Sequence, residues 1–303
     1  MLAKAGAGCQ TSIAPELPST TYDLPTMSPP FFIQSCLAVV SSLCLCMAAL
    51  AQPCDELPIG RTVSDQQGGC LALVPIGATT PSSKTLIVML HGDGEGRLSQ
   101  TQITRWTTLG RTLQAPDRNV FFLLRPGYQS PAGNSSGWAN PKDDDYTAQN
   151  MERVAGALRA LRETYKSEKL ILVGHSGGAA TSSLVLGKHP GVADAALLLG
   201  CPCDVPPWRE HRNAQRGATG SWPRSLNPLA FVTGIPAGTP VLAVTGAQDD
   251  NTLPTFAKRW ADAAHANSVK ARFEEVSGLT HSTILQWPGI ASSVSELIEA
   301  TNR

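Results

Sequence analysis

The sequence lacks an excess of charge of either sign. Its 303 residues include 24 basic and 24 acidic side chains. The balance gives no excess of positive charge that would favour binding to nucleic acid, and no acidic tail is present. It also lacks sustained heptads and repeats at the periods of solenoids or propellers, which excludes coiled coils and repeat architectures. The 42% apolar share, with 27 Gly and 23 Pro, is typical of a globular chain.

Charged residues are also absent from residues 31–51, an apolar run that ends in Ala49-Leu50-Ala51. This pattern predicts a secretory h-region with an A-x-A cleavage site, best fitted if translation starts at Met27 rather than Met1. We therefore expect residues 1–51 to hold an N-terminal extension and a signal peptide. Residues 52–303 would form a secreted or periplasmic domain with no stable membrane partner after cleavage. The alternative is one uncleaved membrane anchor, since about 20 apolar residues span a bilayer.

Cleavage after residue 51 would leave an even number of cysteines, namely Cys54, Cys70, Cys201 and Cys203. In an oxidising compartment this count favours disulfides. The Cys54–Cys70 pairing is favoured because both residues lie in one N-terminal segment. One residue separates Cys201 from Cys203, and in an extended chain such neighbours rarely reach each other, so a bridge between them would be strained. C-x₂-C spacing and nearby further ligands are lacking, and no metal site is expected.

Short apolar runs alternate with helical patterns along the rest of the chain. Runs of four to six residues closely followed by Gly indicate strands that are buried on both faces; they cover residues 86–90, 120–124, 170–173, 195–199 and 241–244. Helical spacing of apolar residues predicts helices at residues 146–165, 182–188, 253–266 and 290–300. The alternation predicts a doubly wound α/β domain with a mostly parallel sheet. Reactive groups are then expected at the carboxyl ends of the strands.

Residues 203–237 interrupt this alternation. They are rich in Pro, Arg, Gly and Trp and show no clear period. We expect this stretch, here named the lid segment, to lie over the strand ends as an excursion or small lid. A disordered surface loop is the alternative.

A G-x-S-x-G motif follows one of the predicted strands and reads Gly174-His175-Ser176-Gly177-Gly178. A nucleophilic serine on a sharp strand-to-helix turn needs small neighbours, because larger side chains would clash there. The bare motif is weak, and an idle Ser in a Gly-rich turn is its alternative. The preceding strand and the helix after it make Ser176 the candidate nucleophile, with His175 as a packing residue.

A serine nucleophile needs a base and an acid that orients the base, and here suitable residues follow in chain order. Asp249 comes just after a buried strand, with Asp250 as the alternative acid. His281 lies in the loop after the last alternating strand and is the candidate base. Three further histidines lie in less suitable places: His189, His211 and His265.

A developing oxyanion needs two backbone N–H donors. Gly177, immediately after the serine, is expected to supply one. The second is expected from the H-G-D-G-E-G stretch at residues 91–96, where Asp93 is the favoured donor and Gly94 the alternative. A phosphate-binding loop is the other interpretation of this stretch, but the G-x-x-x-x-G-K-[ST] pattern is missing.

Taken together, residues 84–290 resemble the α/β-hydrolase family, in particular its serine esterase, lipase and small peptidase branches. Two features depart from the pattern of this family. The segment before residue 84 is short, which suggests a trimmed leading edge of the sheet, and the lid is small and lacks a long helical cap. The resemblance rests on these residues: His91-Gly92, Arg125-Pro126-Gly127-Tyr128, Gly174-His175-Ser176-Gly177-Gly178, Gly246, Asp249 and His281.

The resemblance implies a serine hydrolase that cleaves carboxylic esters through a Ser-Asp-His triad and an acyl-enzyme. A small lid suggests an open site for a small-molecule or polymeric ester, and no cofactor is implied. A peptidase or amidase would use the same residues, and a non-catalytic binding module on the same scaffold is a remote alternative. Aromatic residues in loops near the strand ends could line the pocket, foremost Tyr128 and Trp138, then Trp208 and Trp222. Core or surface packing is the other interpretation of each.

Overall fold

The computed structural model describes Cys54 and residues 62–139 and 145–302. All of these belong to the larger of two units in the chain, Ala48–Arg303. The predicted signal peptide and extension, residues 1–51, lie outside the described residues. In the part of the chain that is described, no helix is long and apolar enough to cross a bilayer.

A sheet of eight strands forms the centre of the described residues, in the order β1-β2-β4-β3-β7-β8-β9-β10. Strands β1 and β2 run antiparallel to their neighbours, and the other six are parallel. Strands β5 and β6 form a separate small hairpin. The strands are β1 Thr62–Ser64, β2 Cys70–Ile76, β3 Thr85–Leu90, β4 Arg118–Leu123, β5 Gln129–Ser130, β6 Gly133–Asn134, β7 Lys169–His175, β8 Ala195–Leu199, β9 Pro240–Gly246 and β10 Lys270–Val276.

Helices cover both faces of this sheet, so the predicted doubly wound α/β fold is confirmed. They are α1 Gln100–Arg111, α2 Ala148–Thr164, α3 Gly177–Lys188, α4 Val205–Arg216, α5 Pro254–Ala266 and α6 Ile290–Ala300. Successive residues of a strand point to opposite faces, and β3 illustrates the result. Leu86, Val88 and Leu90 pack with side chains of α2, α3 and α5, whereas Ile87 and Met89 pack with α1 and α6.

The lid segment contains a helix that the sequence pattern did not predict. Helix α4 follows Asp204 and is followed by a 3₁₀ helix at Pro228–Gly234, so the interpretation as a disordered loop is wrong. Two prolines lie in the first turn of α4, where proline fits because the first helical N–H groups have no intrahelical partner. Helix α1 was also missed, whereas α3 begins directly after Ser176, where the motif predicts a helix. At the leading edge of the sheet β1 is only three residues long, while β2 has seven.

Two disulfides connect the four cysteines of this unit. The Cys54–Cys70 bridge, with Cα atoms 5.4 Å apart, confirms the favoured pairing. The expectation against a Cys201–Cys203 bridge is wrong, because these residues are bonded with Cα atoms 5.1 Å apart. An extended chain would separate them by about 6.6 Å, so the chain is contracted here, just after the end of β8.

Candidate active site

Ser176 occupies the sharp turn between β7 and α3. Its backbone has φ 53° and ψ −122°, in the left-handed range of φ that non-glycine residues rarely adopt. The flanking glycines make this turn possible. A Cβ at Gly174 would lie 2.4 Å from the Gly178 carbonyl oxygen, and one at Gly178 would lie 2.1 Å from that of Leu90. The turn therefore holds a strained serine at the carboxyl edge of the sheet.

The loops after β9 and β10 bring an acid and a histidine to this serine. His281 Nε2 lies 3.0 Å from Ser176 Oγ, and His281 Nδ1 lies 2.8 Å from Asp249 Oδ2. Because a carboxylate only accepts, Nδ1 carries the proton and Nε2 accepts from the serine hydroxyl. Asp250 is exposed, and it is Asp249 that the structure places against the imidazole.

Asp249 is held by the backbone that follows it. Its Oδ1 accepts from the N–H groups of Asn251 at 3.0 Å and Thr252 at 2.8 Å, and its Oδ2 accepts from the Thr252 hydroxyl at 2.7 Å. Burial alone would raise the pKa of Asp249, but the hydrogen bonds from His281 and Thr252 lower it below its usual value. Thr252 was not singled out from the sequence, although an Asp in a turn commonly accepts hydrogen bonds from the backbone that follows it.

The loop after β3 lies against the start of α3. A Cβ at Gly92 would lie 2.9 Å from the Ser176 Cβ, and one at Gly177 would lie 1.9 Å from Asp93 Oδ1. The structure thus brings Asp93 and Gly177 together beside the serine. The Gly94 N–H, the alternative oxyanion donor, instead donates to the Tyr128 hydroxyl at 3.2 Å.

The Asp93 carboxylate is part of a largely buried polar cluster. Arg125 Nη1 donates to its Oδ1 at 2.7 Å, and the Tyr146 hydroxyl donates to its Oδ2 at 2.5 Å. Burial alone would raise the pKa of Asp93, but the positive charges of Arg125 and Arg209 and the Tyr146 hydrogen bond lower it below its usual value. Asp93 is therefore ionised. Sequence reasoning gave Arg125 and Tyr146 no role in the site.

Two histidines flank the site, of which His91 is buried and His175 is partly buried. His91 Nδ1 donates to the Gly92 carbonyl at 2.7 Å, and its Nε2 accepts from the Arg125 N–H at 3.0 Å. Burial, followed by the charge of Arg125, lowers the pKa of His91 to about 3. Burial, followed by the neighbouring His281, lowers the pKa of His175 to about 3 as well. Both imidazoles are neutral at physiological pH.

A cavity of about 670 Å³ opens above Ser176 and His281. The lid segment forms part of its wall, including Trp208 and Trp222. Within residues 62–139 and 145–302, no cluster of three or more His, Cys, Asp or Glu side chains is placed to hold a metal ion.

The two aromatic residues named first for substrate binding lie outside the wall of this cavity. Tyr128 is fully buried beneath the glycine-rich loop, where its hydroxyl accepts from Gly94 and donates to Asp145 at 3.3 Å. Trp138 is 51% exposed and lies under the guanidinium of Arg224, 5.0 Å from the ring centroid. A loop position in the sequence could not distinguish a residue beneath a loop from one that faces a cavity.

The sequence of this chain matches a known family, and its fold is similar to those of solved structures. The family model of the alpha/beta hydrolase fold matches residues 85–272, whereas no curated protein matches the sequence. An esterase from Pyrococcus furiosus superposes with a TM-score of 0.61 at 16% identity, covering 78% of this chain and 89% of that one.

Two further solved structures are similar. A serine hydrolase involved in carbazole degradation gives a TM-score of 0.57 at 16% identity, over 80% of this chain and 98% of that one. Est1E from Butyrivibrio proteoclasticus gives 0.57 at 13% identity, over 80% of this chain and 100% of that one. At such identities these superpositions establish a shared fold.

Proposed function

Because the chain belongs to the α/β-hydrolase family, we propose that it is a secreted serine hydrolase that cleaves carboxylic esters through an acyl-enzyme on Ser176. One observation carries the proposal. A single imidazole, that of His281, lies 3.0 Å from the serine hydroxyl and 2.8 Å from a buried carboxylate. This is the arrangement in which a histidine activates a serine and an acid orients the histidine.

In the first half of the proposed reaction, Ser176 Oγ attacks the ester carbonyl carbon while His281 Nε2 takes the hydroxyl proton. Asp249 stabilises the imidazolium that forms and keeps its ring in place. The N–H groups of Asp93 and Gly177 donate to the oxygen that becomes negative. His281 then returns the proton to the departing alcohol, and the acyl group remains on Ser176.

In the second half, water takes the place of the alcohol. His281 accepts a proton from the water as its oxygen attacks the acyl carbon, and the same two N–H groups stabilise the second oxyanion. The proton passes to Ser176 Oγ as the acyl bond breaks. The carboxylic acid leaves and the free serine is restored. These steps use the three side chains of the triad, the two backbone N–H groups and water.

The size and wall of the cavity support a proposed active site that is open and of moderate size. Its 670 Å³ falls within the range of small-molecule sites, and its wall combines aromatic and polar side chains. The short α4 covers the site in place of a long helical cap. A small or polymeric ester fits such a site better than a long lipid chain enclosed along its whole length.

Export is a separate part of the proposal. It rests on the apolar run at residues 31–51 and its A-x-A end, together with the two disulfides of the described domain, which persist in oxidising compartments. N-terminal sequencing of the protein recovered from the medium or periplasm tests this part. A mature chain that begins at Gln52 supports export, and a chain retained with the leader intact contradicts it.

The experiment that tests the enzymatic proposal is hydrolysis of p-nitrophenyl acetate, butyrate and palmitate, beside an aminoacyl p-nitroanilide. We expect turnover of the short esters by the wild type and its loss in Ser176→Ala. Ser183→Ala, which truncates a buried serine on the same helix, is the matched control and should retain activity. Turnover of the anilide without ester preference would indicate a peptidase. A wild type no faster than Ser176→Ala on every substrate would contradict the proposal.

A further inference from the structure

An ionised carboxylate lies beside the proposed oxyanion site. Asp93 Oδ1 lies so close to the first residue of α3 that a Cβ at Gly177 would come within 1.9 Å of it. The Asp93 side chain is only 12% exposed, so water screens its charge weakly. A negative charge at this point opposes the negative charge that develops on the ester oxygen. A hydrolase with this loop therefore needs a means of cancelling it.

Arg125 provides that cancellation from beneath the loop. Its guanidinium donates to Asp93 Oδ1 at 2.7 Å and to the His91 carbonyl at 3.3 Å. Its backbone N–H donates to the His91 imidazole at 3.0 Å. Arg125 thus contacts the first and third residues of the loop, and Arg125 itself is only 2% exposed.

We propose that Arg125 is the positioning residue of the oxyanion site: it neutralises the Asp93 carboxylate and fixes the loop so that the Asp93 N–H faces the reacting oxygen. This inference rests on the proposed function. It assigns to Arg125 a role in kcat rather than in substrate affinity, since an interaction that matters only when charge develops changes the transition state alone.

The protein contains a second buried arginine–aspartate pair that serves as a control. Arg153 Nη1 of α2 contacts Asp65 Oδ2, with side-chain exposures of 15% and 0%. Neither residue lines the cavity. Loss of either arginine removes the nearest positive charge from a buried carboxylate and lowers stability, but only loss of Arg125 leaves such a charge beside the reacting oxygen.

The test compares Arg125→Gln, Asp93→Asn, the double variant Arg125→Gln/Asp93→Asn and the control Arg153→Gln. Each is assayed for kcat and KM on p-nitrophenyl butyrate, with active sites counted by fluorophosphonate titration and folding followed by thermal unfolding. Asp93→Asn removes the carboxylate and retains the backbone N–H. Arg209 also attracts Asp93, so neutralisation is not lost completely in Arg125→Gln.

We expect Arg125→Gln to lower kcat per active site by about 10²-fold, comparable to loss of one oxyanion donor, with KM changed less than about threefold. The double variant should regain about tenfold or more of this loss, and Arg153→Gln should keep the wild-type kcat. If Arg125→Gln fails to fold, the kcat of the double variant is compared directly with that of the wild type. A kcat within about tenfold of the wild type is then the expected result.

Two results would overturn the inference. One is a folded Arg125→Gln with the kcat of Arg153→Gln. The other is a folded double variant whose kcat remains about 10²-fold below the wild type, since the loss would then not come from an uncancelled charge. Failure of the proposed function would look different, because the wild type itself would then be no faster than Ser176→Ala.

Discussion

His175 Nε2 donates a hydrogen bond to the backbone carbonyl of His281, 2.9 Å away. The centroids of the two imidazole rings lie 4.8 Å apart. The residue immediately before the proposed nucleophile therefore anchors the loop that carries the proposed base. Two segments that are more than 100 residues apart in the chain are joined at this point. The bond requires a proton on Nε2, so in the neutral ring of His175 the proton lies on Nε2 and not on Nδ1.

Stability should fall in mild acid because of His91 and His175. The pKa of His91 and of His175 is about 3 in the folded protein, against an ordinary value of 6.5. The unfolded chain therefore binds protons below pH 6.5 that the folded chain does not, and the free energy of unfolding decreases as the pH falls from 6.5 towards 3. At pH 5 each of the two histidines lowers the free energy of unfolding by about 2 kcal/mol relative to neutral pH.

Urea unfolding at pH 7.5 and pH 5 checks this prediction. His175→Gln, which retains a side-chain N–H, should lose about 2 kcal/mol less than the wild type between the two pH values. His265→Gln is the matched control, because His265 lies exposed on α5, and it should follow the wild type. Equal losses for the wild type and His175→Gln would contradict a lowered pKa at His175.

Substitution of the two neighbouring aspartates should separate their roles. Asp249→Asn retains the shape of the side chain but removes the charge beside His281, and we expect kcat to fall by about 10⁴-fold. Asp250→Asn alters an exposed side chain and should change kcat by less than about twofold. Steady-state kinetics on p-nitrophenyl butyrate provides the comparison. The opposite order of the two effects would make Asp250 the acid.

The tryptophans of the lid segment should affect substrate affinity. Trp222 lines the cavity, and its truncation in Trp222→Ala should raise KM for an aryl or medium-chain ester by about tenfold, equivalent to about 1.4 kcal/mol of lost binding. Trp138→Ala removes an exposed ring outside the cavity wall and should leave KM unchanged. A larger effect of Trp138→Ala on KM would restore that residue to the substrate site.

The two disulfides should contribute unequally to stability. The Cys54–Cys70 bridge spans 16 positions and the Cys201–Cys203 bridge spans two. Loop-closure entropy then predicts a loss of about 3 kcal/mol for Cys54→Ala/Cys70→Ala and about 1.5 kcal/mol for Cys201→Ala/Cys203→Ala. Urea unfolding of both pairs measures the difference. A larger loss from the second pair would mean that packing around Cys201 and Cys203 outweighs chain entropy.

The central part of the fold was readable from the sequence because it follows from local rules. Buried strands appear as continuous apolar runs, and glycine is required where a Cβ at Gly174 or Gly178 would collide with the backbone. The same signals identified Ser176 as a candidate. Helix α4 was missed because it buries few residues, namely Val205, Trp208 and Arg209, which is too sparse for a visible period.

Other features of the site depend on contacts between distant segments. Arg125 and Tyr146 reach Asp93 across 32 and 53 positions of the chain, and no spacing rule encodes such a meeting. Tyr128 and Trp138 were placed near the pocket by chain position, whereas depth in the structure decides which residues face the cavity. The Cys201–Cys203 bridge depends on a local contraction of the backbone that the residue spacing does not reveal.

The proposed hydrolase activity requires an activated serine at position 176. Reaction with a fluorophosphonate, followed by intact-mass and peptide mass spectrometry, tests it without knowledge of the natural substrate. We predict one label per chain on Ser176, absent in Ser176→Ala and greatly slowed in His281→Ala. A folded wild type that takes no label, or a Ser176→Ala variant that is labelled as fully as the wild type, would rule out Ser176 as the activated nucleophile.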